Sequence, residues 1–190
     1  MSTVSIRVSS ISAPLSNSSE STNSRQLPSQ IDSVLLSEVV HTVTISPECI
    51  TKFNDLKLNK KLKFILYKLT DDYKEVVVEE ASEDGDWETF RGKLIAAESK
   101  NMKTGKVTKG PRYAVYDFNY DLASGEGSRS KICFIAWSPD DAGIQPKMVY
   151  ASSKDALKRA LNGLAVEVQG NDTDDIEFDT VLGKVSKGLA

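Results

Sequence analysis

Between Lys131 and Trp137 the chain reads KICFIAW, and a strand with six apolar residues in a row has no polar face to turn to water. Such a segment predicts a central sheet strand buried on both sides. Tyr113 to Tyr120 predicts a second strand. Leu62 to Leu69 and Glu75 to Glu80 predict a hairpin, with turn chemistry supplied by Thr70-Asp71-Asp72. Helices fall between these strands. Ser46-Pro47-Glu48 opens one by N-cap and N1-proline logic, with Ile50, Phe53 and Leu56 as its buried face. Asp84 or Asp86 caps another that holds Trp87, Phe90, Leu94 and Ala97 on one side, with Trp87 read as core. A last short helix near Asp179 turns Val181, Leu182 and Val185 inward and Lys184 and Lys187 outward, with Gly183 as an interruption. Alternation of this kind predicts an α/β domain.

The run KMVYASSKDALKRALNG, Lys147 to Gly163, reads as a strand leading into a helix. Leu157, Leu161, Leu164 and Val168 recur at steps of four, three and four, which places them in one helical seam. Ser152 or Ser153 fits as the N-cap, with Asp155 in the first turn facing the free N–H groups. Lys154 borders the seam, Lys158 lies a turn beyond it, and Arg159 projects towards solvent. Taken alone, these cations fit either a solvated face, helped by an Asp155–Arg159 pair, or a binding surface.

This run closely resembles the signature helix of the actin-depolymerising factor/cofilin family, and the resemblance extends from Lys147 to Gly170. Other blocks match in the same order: FNDLKLNKKLKFILYKL from Phe53, YAVYDFNY from Tyr113, GSRSKICFIAWSPD from Gly127 and FDTVLGKVSKG from Phe178. The resemblance covers roughly residues 43 to 190 and is of the fungal type. It implies a single domain over 41–190, with a mixed sheet of about five strands between helices. It also implies an actin-binding protein that takes up monomers and filaments and promotes severing and depolymerisation, acting as a monomer in cytoplasm and cytoskeleton and also in the nucleus. By the same resemblance, Met148, Ser153, Lys154, Lys158 and Arg159 meet actin in both forms, while Arg129, Lys131, Lys184 and Lys187 reach a neighbouring subunit of the filament. Phosphoinositide headgroups are a further implied partner, and a membrane-surface regulatory module is the alternative reading of the same cations. The family's regulatory serine position falls on His41 and its glycine neighbour on Thr42, so phosphoregulation does not carry over. Gly183 stands where relatives often carry a charge.

Residues 1–40 differ in kind, with thirteen serines, five charged residues and no aromatic, a composition that predicts disorder. They are either a genuine extension or a translated intron, and the abrupt change of composition favours the intron. A transcript encoding residues 3–40 would exclude it. The apolar positions Ile6, Val8, Ile11 and Leu15 are too interrupted for a secretory h-region. A net charge of −3 argues against bulk electrostatic binding to nucleic acid. Cys49 and Cys133 lie far apart without CxxC spacing and read as buried small hydrophobes.

Catalysis and cofactors have little to rest on. His41, the only histidine, lies at the domain edge, which argues against a Ser-His-Asp or Cys-His arrangement inside the fold. No cluster has zinc-ligand spacing, and Asp71-Asp72, Asp140-Asp141 and Asp174-Asp175 sit in turn-like segments. TGKVT lacks the spacing of a phosphate loop, and Lys100 to Lys109 reads as an exposed loop. The expectation is a protein that is not an enzyme, with no cofactor and no metal.

Overall fold

The computed structural model describes residues 43–100, 104–121 and 127–187. Expectations for residues 1–42, for 101–103 of the Lys100–Lys109 segment and for the Lys187 side chain fall outside them. Among the described residues no helix is long and apolar enough to cross a membrane.

The two-residue period of the strands fixes the layers. In β7 (Ser128–Trp137), Cys133, Ile135 and Trp137 enter one core while Ile132, Phe134 and Ala136 enter the other, so the apolar run does face packing on both sides. Its partner β6 (Arg112–Asp121) runs antiparallel to it over ten residue pairs. Beyond β6 lie β2 (Phe64–Leu69) and β3 (Glu75–Ser82), the expected hairpin, and then β1 (Thr44–Ile45) parallel to β3. On the other side β8 (Val166–Gly170) pairs parallel with β7. The sheet therefore has six strands in the order β1-β3-β2-β6-β7-β8, one more than the resemblance implied.

Helices α1 (Pro47–Lys57) and α3 (Ile144–Ala160) cover one face, contributing Phe53, Leu56, Tyr150 and Leu157 to its core. Helices α2 (Trp87–Ala96) and α4 (Phe178–Lys187) cover the other. There Trp87 is core, as expected: its ring lies 4.9 Å from Tyr116, 5.1 Å from Phe90 and 5.3 Å from Phe118, and its Nε1 donates to the Ile176 carbonyl at 3.2 Å. Asp86 caps α2 by accepting from the Thr89 N–H at 2.8 Å. In α1, Pro47 holds the N1 position, but Ile50 is exposed and Cys49 takes its place in the core. Burial pushes the Cys49 thiol up to about 11, with Glu48 and Glu75 adding to the shift, and pushes Cys133 up to about 12.

The loop expected over Lys100–Lys109 contains strand: β4 (Glu98–Lys100) and β5 (Val107–Lys109) form a separate two-stranded sheet. Arg112, 4% exposed, anchors it, donating to the Glu98 carbonyl at 2.8 Å and to Glu79 at 2.5 and 3.0 Å. A Cβ on Gly110 would sit 2.2 Å from the Ser99 hydroxyl, so the chain leaving β5 passes β4 this closely only with glycine there.

Candidate functional site

Helix α3 does not begin where the serines suggested. Gly143 is its N-cap and Lys147 to Tyr150, read as strand, form its second turn. Pro146 falls in the first turn, where its missing N–H would have had no intrahelical acceptor. Ser152 and Ser153 therefore lie inside the helix, both donating to the Val149 carbonyl, at 2.9 and 2.7 Å. The buried seam is Pro146, Tyr150, Ser153 and Leu157, continued by Leu161 at the C-cap. Leu164 and Val168 are not part of it. Gly163, at φ 106°, turns the chain out of the helix, and the Ala165 N–H donates to the Ile132 carbonyl at 2.9 Å, which starts β8. A four-three-four spacing thus ran on by coincidence across a helix end.

Opposite the seam, α3 carries an exposed stripe of Ile144, Met148, Ala151, Ser152, Asp155 and Arg159. Its N-terminal half is apolar, with Ile144 79% and Met148 66% exposed, and its C-terminal half is charged. Lys154 and Lys158 flank the stripe and lean towards β8. Lys154 Nζ lies 2.7 Å from Glu167, and Lys158 pairs with the same carboxylate. The Asp155 carboxylate is 3.9 Å from Lys158, whereas Arg159 Nε donates to the Asp155 backbone carbonyl at 3.2 Å, so the expected Asp155–Arg159 side-chain pair is replaced by a backbone contact. Partial burial works to raise the Glu167 pKa, but hydrogen bonds from Lys154 and Lys158 outweigh it and hold the carboxyl below its ordinary value. The Glu167 hydrogen bond holds Lys158 above its own. Ser153, 3% exposed and hydrogen-bonded within the helix, offers no hydroxyl to a partner. It positions the helix against the sheet.

A second basic region joins two elements. Arg129 and Lys131 lie in the first half of β7, opposite Tyr120 and Phe118 of β6. Arg129 is exposed. Lys131 is half-buried, its Nζ donating to the Val185 carbonyl near the end of α4 at 2.7 Å and sitting 5.6 Å over the Tyr120 ring. Lys184 is exposed on α4, while Val181 and Val185 are buried. The structure thus brings Lys131 and α4 together, although the sequence placed them more than fifty residues apart.

Window-based reading missed Ile144, Glu167 and Asp117. The Asp117 carboxylate, 2% exposed on β6, accepts from Ser130 Oγ at 2.5 Å and from Lys60 Nζ at 3.1 Å. No local pattern announces it, because its partners come from distant strands and loops. Glu167 had a signal in the alternation VEVQG, which reads as a strand beside a basic helix once Gly163 is taken as a helix stop. Among the described residues no group of three or more His, Cys, Asp or Glu could hold a metal ion.

Residues 42–186 match the family profile described as cofilin/tropomyosin-type actin-binding protein. The cofilin of Gibberella zeae is 70% identical over 147 residues, covering 77% of this chain and 95% of that protein. Among solved structures, a Streptomyces griseoflavus cofilin superposes with a TM-score of 0.66 at 39% identity, over 77% of this chain and 98% of its own. Actin depolymerization factor 2 of Plasmodium berghei superposes with a TM-score of 0.62 at 26% identity, over 75% and 96%.

Proposed function

This chain belongs to the cofilin/tropomyosin-type family of actin-binding proteins, and on that premise we propose that it binds actin monomers and filaments and promotes filament severing and depolymerisation. The observation that carries the proposal is the α3 stripe, two large exposed apolar side chains followed by a charged end flanked by Lys154 and Lys158, on a helix packed against the sheet. Ile144 and Met148 supply area to bury at a partner. Lys154, Lys158 and Arg159 meet acidic actin surface, and Arg129, Lys131, Lys184 and Lys187 face the neighbouring filament subunit. Ser153 serves by packing.

The action is mechanical. Binding that favours one filament twist shifts the filament towards that twist, and boundaries between decorated and bare segments break more easily. The proposal assigns binding to residues 41–190, acting as a monomer and without enzymatic chemistry, in cytoplasm, cytoskeleton and nucleus. The same cations attract anionic headgroups, so phosphoinositides compete with actin for this face.

Cosedimentation of the full chain with actin filaments tests the reading. Saturable pelleting supports it, and a chain that stays in the supernatant at every filament concentration overturns it. Salt-sensitive binding to phosphoinositide vesicles that survives saturating actin would favour a separate membrane role over a competing one.

A further inference from the structure

The α3 face is far less positive than its sequence. Lys154 and Lys158 converge on the single carboxylate of Glu167, and Lys158 also has Asp155 at 3.9 Å. Two cations are thus matched by two anions, and among the described residues Arg159 makes no ion pair. The partnership is built by the fold. Glu167 sits on β8, whose parallel register places it opposite Phe134 of β7, and the crossover through α3 brings the two lysines over the strand. The ion-paired side chains are only about a third exposed, at 27% for Lys154, 31% for Lys158 and 33% for Glu167, so water screens these pairs less than fully exposed ones.

We propose that Glu167 is an internal counterion that restrains Lys154 and Lys158, so that an acidic protein surface must draw both lysines away from it while Arg159 provides the initial attraction. This rests on the reading of α3 as the actin-facing helix and specifies how that face is tuned. An acidic partner and Glu167 compete for the same ammonium groups, and the carboxylate also weakens the field that steers a negatively charged partner towards the helix. Glu167 is a positioning residue on this view: it keeps two flexible side chains folded on the helix flank and keeps the face from binding acidic surfaces indiscriminately.

The test is Glu167→Gln in the full chain, with binding to actin filaments measured across a salt series. Glutamine keeps the shape and one acceptor but removes the charge. The expected result is about threefold tighter binding at low salt and a steeper loss of affinity with salt than wild type, with an unshifted thermal melt. In a Lys154→Ala/Lys158→Ala background the same substitution should no longer tighten binding, because the lysines it releases are gone. Wild-type affinity and salt slope in E167Q would overturn the inference while leaving the functional reading intact. A gain that persists without the lysines would also overturn it, since Glu167 would then be repelling the partner directly. A wild-type chain that does not bind filaments would overturn both.

Discussion

Lys154, Lys158 and Arg159 are the side chains on which the proposed recognition turns, and they can be removed without touching the core. Leu157 and Tyr150, which hold α3 to the sheet, lie on the other side of the helix. Replacing all three cations by alanine is expected to weaken filament binding by about tenfold or more, as three surface charge contacts are lost together. The melting transition and far-UV spectrum should stay close to wild type. A folded triple variant with unchanged affinity would contradict the assignment of this face. Legibility at this scale was uneven. The three cations stood out because a helix shows its charges at readable spacing, yet their counterion Glu167 did not, since it arrives from a strand. Ser153 was misread for a related reason: whether a serine caps a helix or lies within it depends on where the helix starts.

At the scale of elements, the strands were the most readable part. Continuous or alternating apolar runs leave few options, and β2, β3, β6 and β7 all lie where they were expected. Helix ends were less so. The α3 seam ran on into β8 because Leu164 and Val168 kept a helical spacing by chance, although Asn162-Gly163 offered a stop signal. The β4–β5 pair was invisible locally, because the Arg112 contacts that organise it span distant segments. Two elements supply the proposed filament-specific surface, β7 through Arg129 and α4 through Lys184. A double Arg129→Ala/Lys184→Ala variant should bind filaments about fivefold more weakly while monomer affinity changes less than twofold. Parallel titrations against monomers and filaments check this, and equal losses on both would remove the two-surface arrangement. Lys131 is left out of that variant because its contact with the Val185 carbonyl also holds α4 in place.

For the molecule as a whole, two cores on either side of one sheet bury several groups that ionise only in alkali. Burial, the leading cause in each case, raises Cys49 to about 11 and Cys133, Tyr116 and Tyr150 to about 12. The unfolded chain ionises its thiols near 9.0 and its phenols near 10.0, while the folded chain still holds those protons. Their contribution to stability is therefore complete below about pH 9 and is lost as pH rises towards 12. Denaturant melts between pH 8 and 12 should show the midpoint falling steadily above pH 9; a flat profile would contradict the burial of these groups. The overall architecture was legible because its strands are so apolar. Its sixth strand and the charge balance of the α3 face were not, as both depend on segments that meet only in the folded chain.

The most direct test of the central claim is imaging single actin filaments while the full chain is added. Binding followed by fragmentation, concentrated at boundaries between decorated and bare stretches, is the predicted result. Filaments that stay bare and intact at saturating protein, or that become decorated and never break, would contradict it.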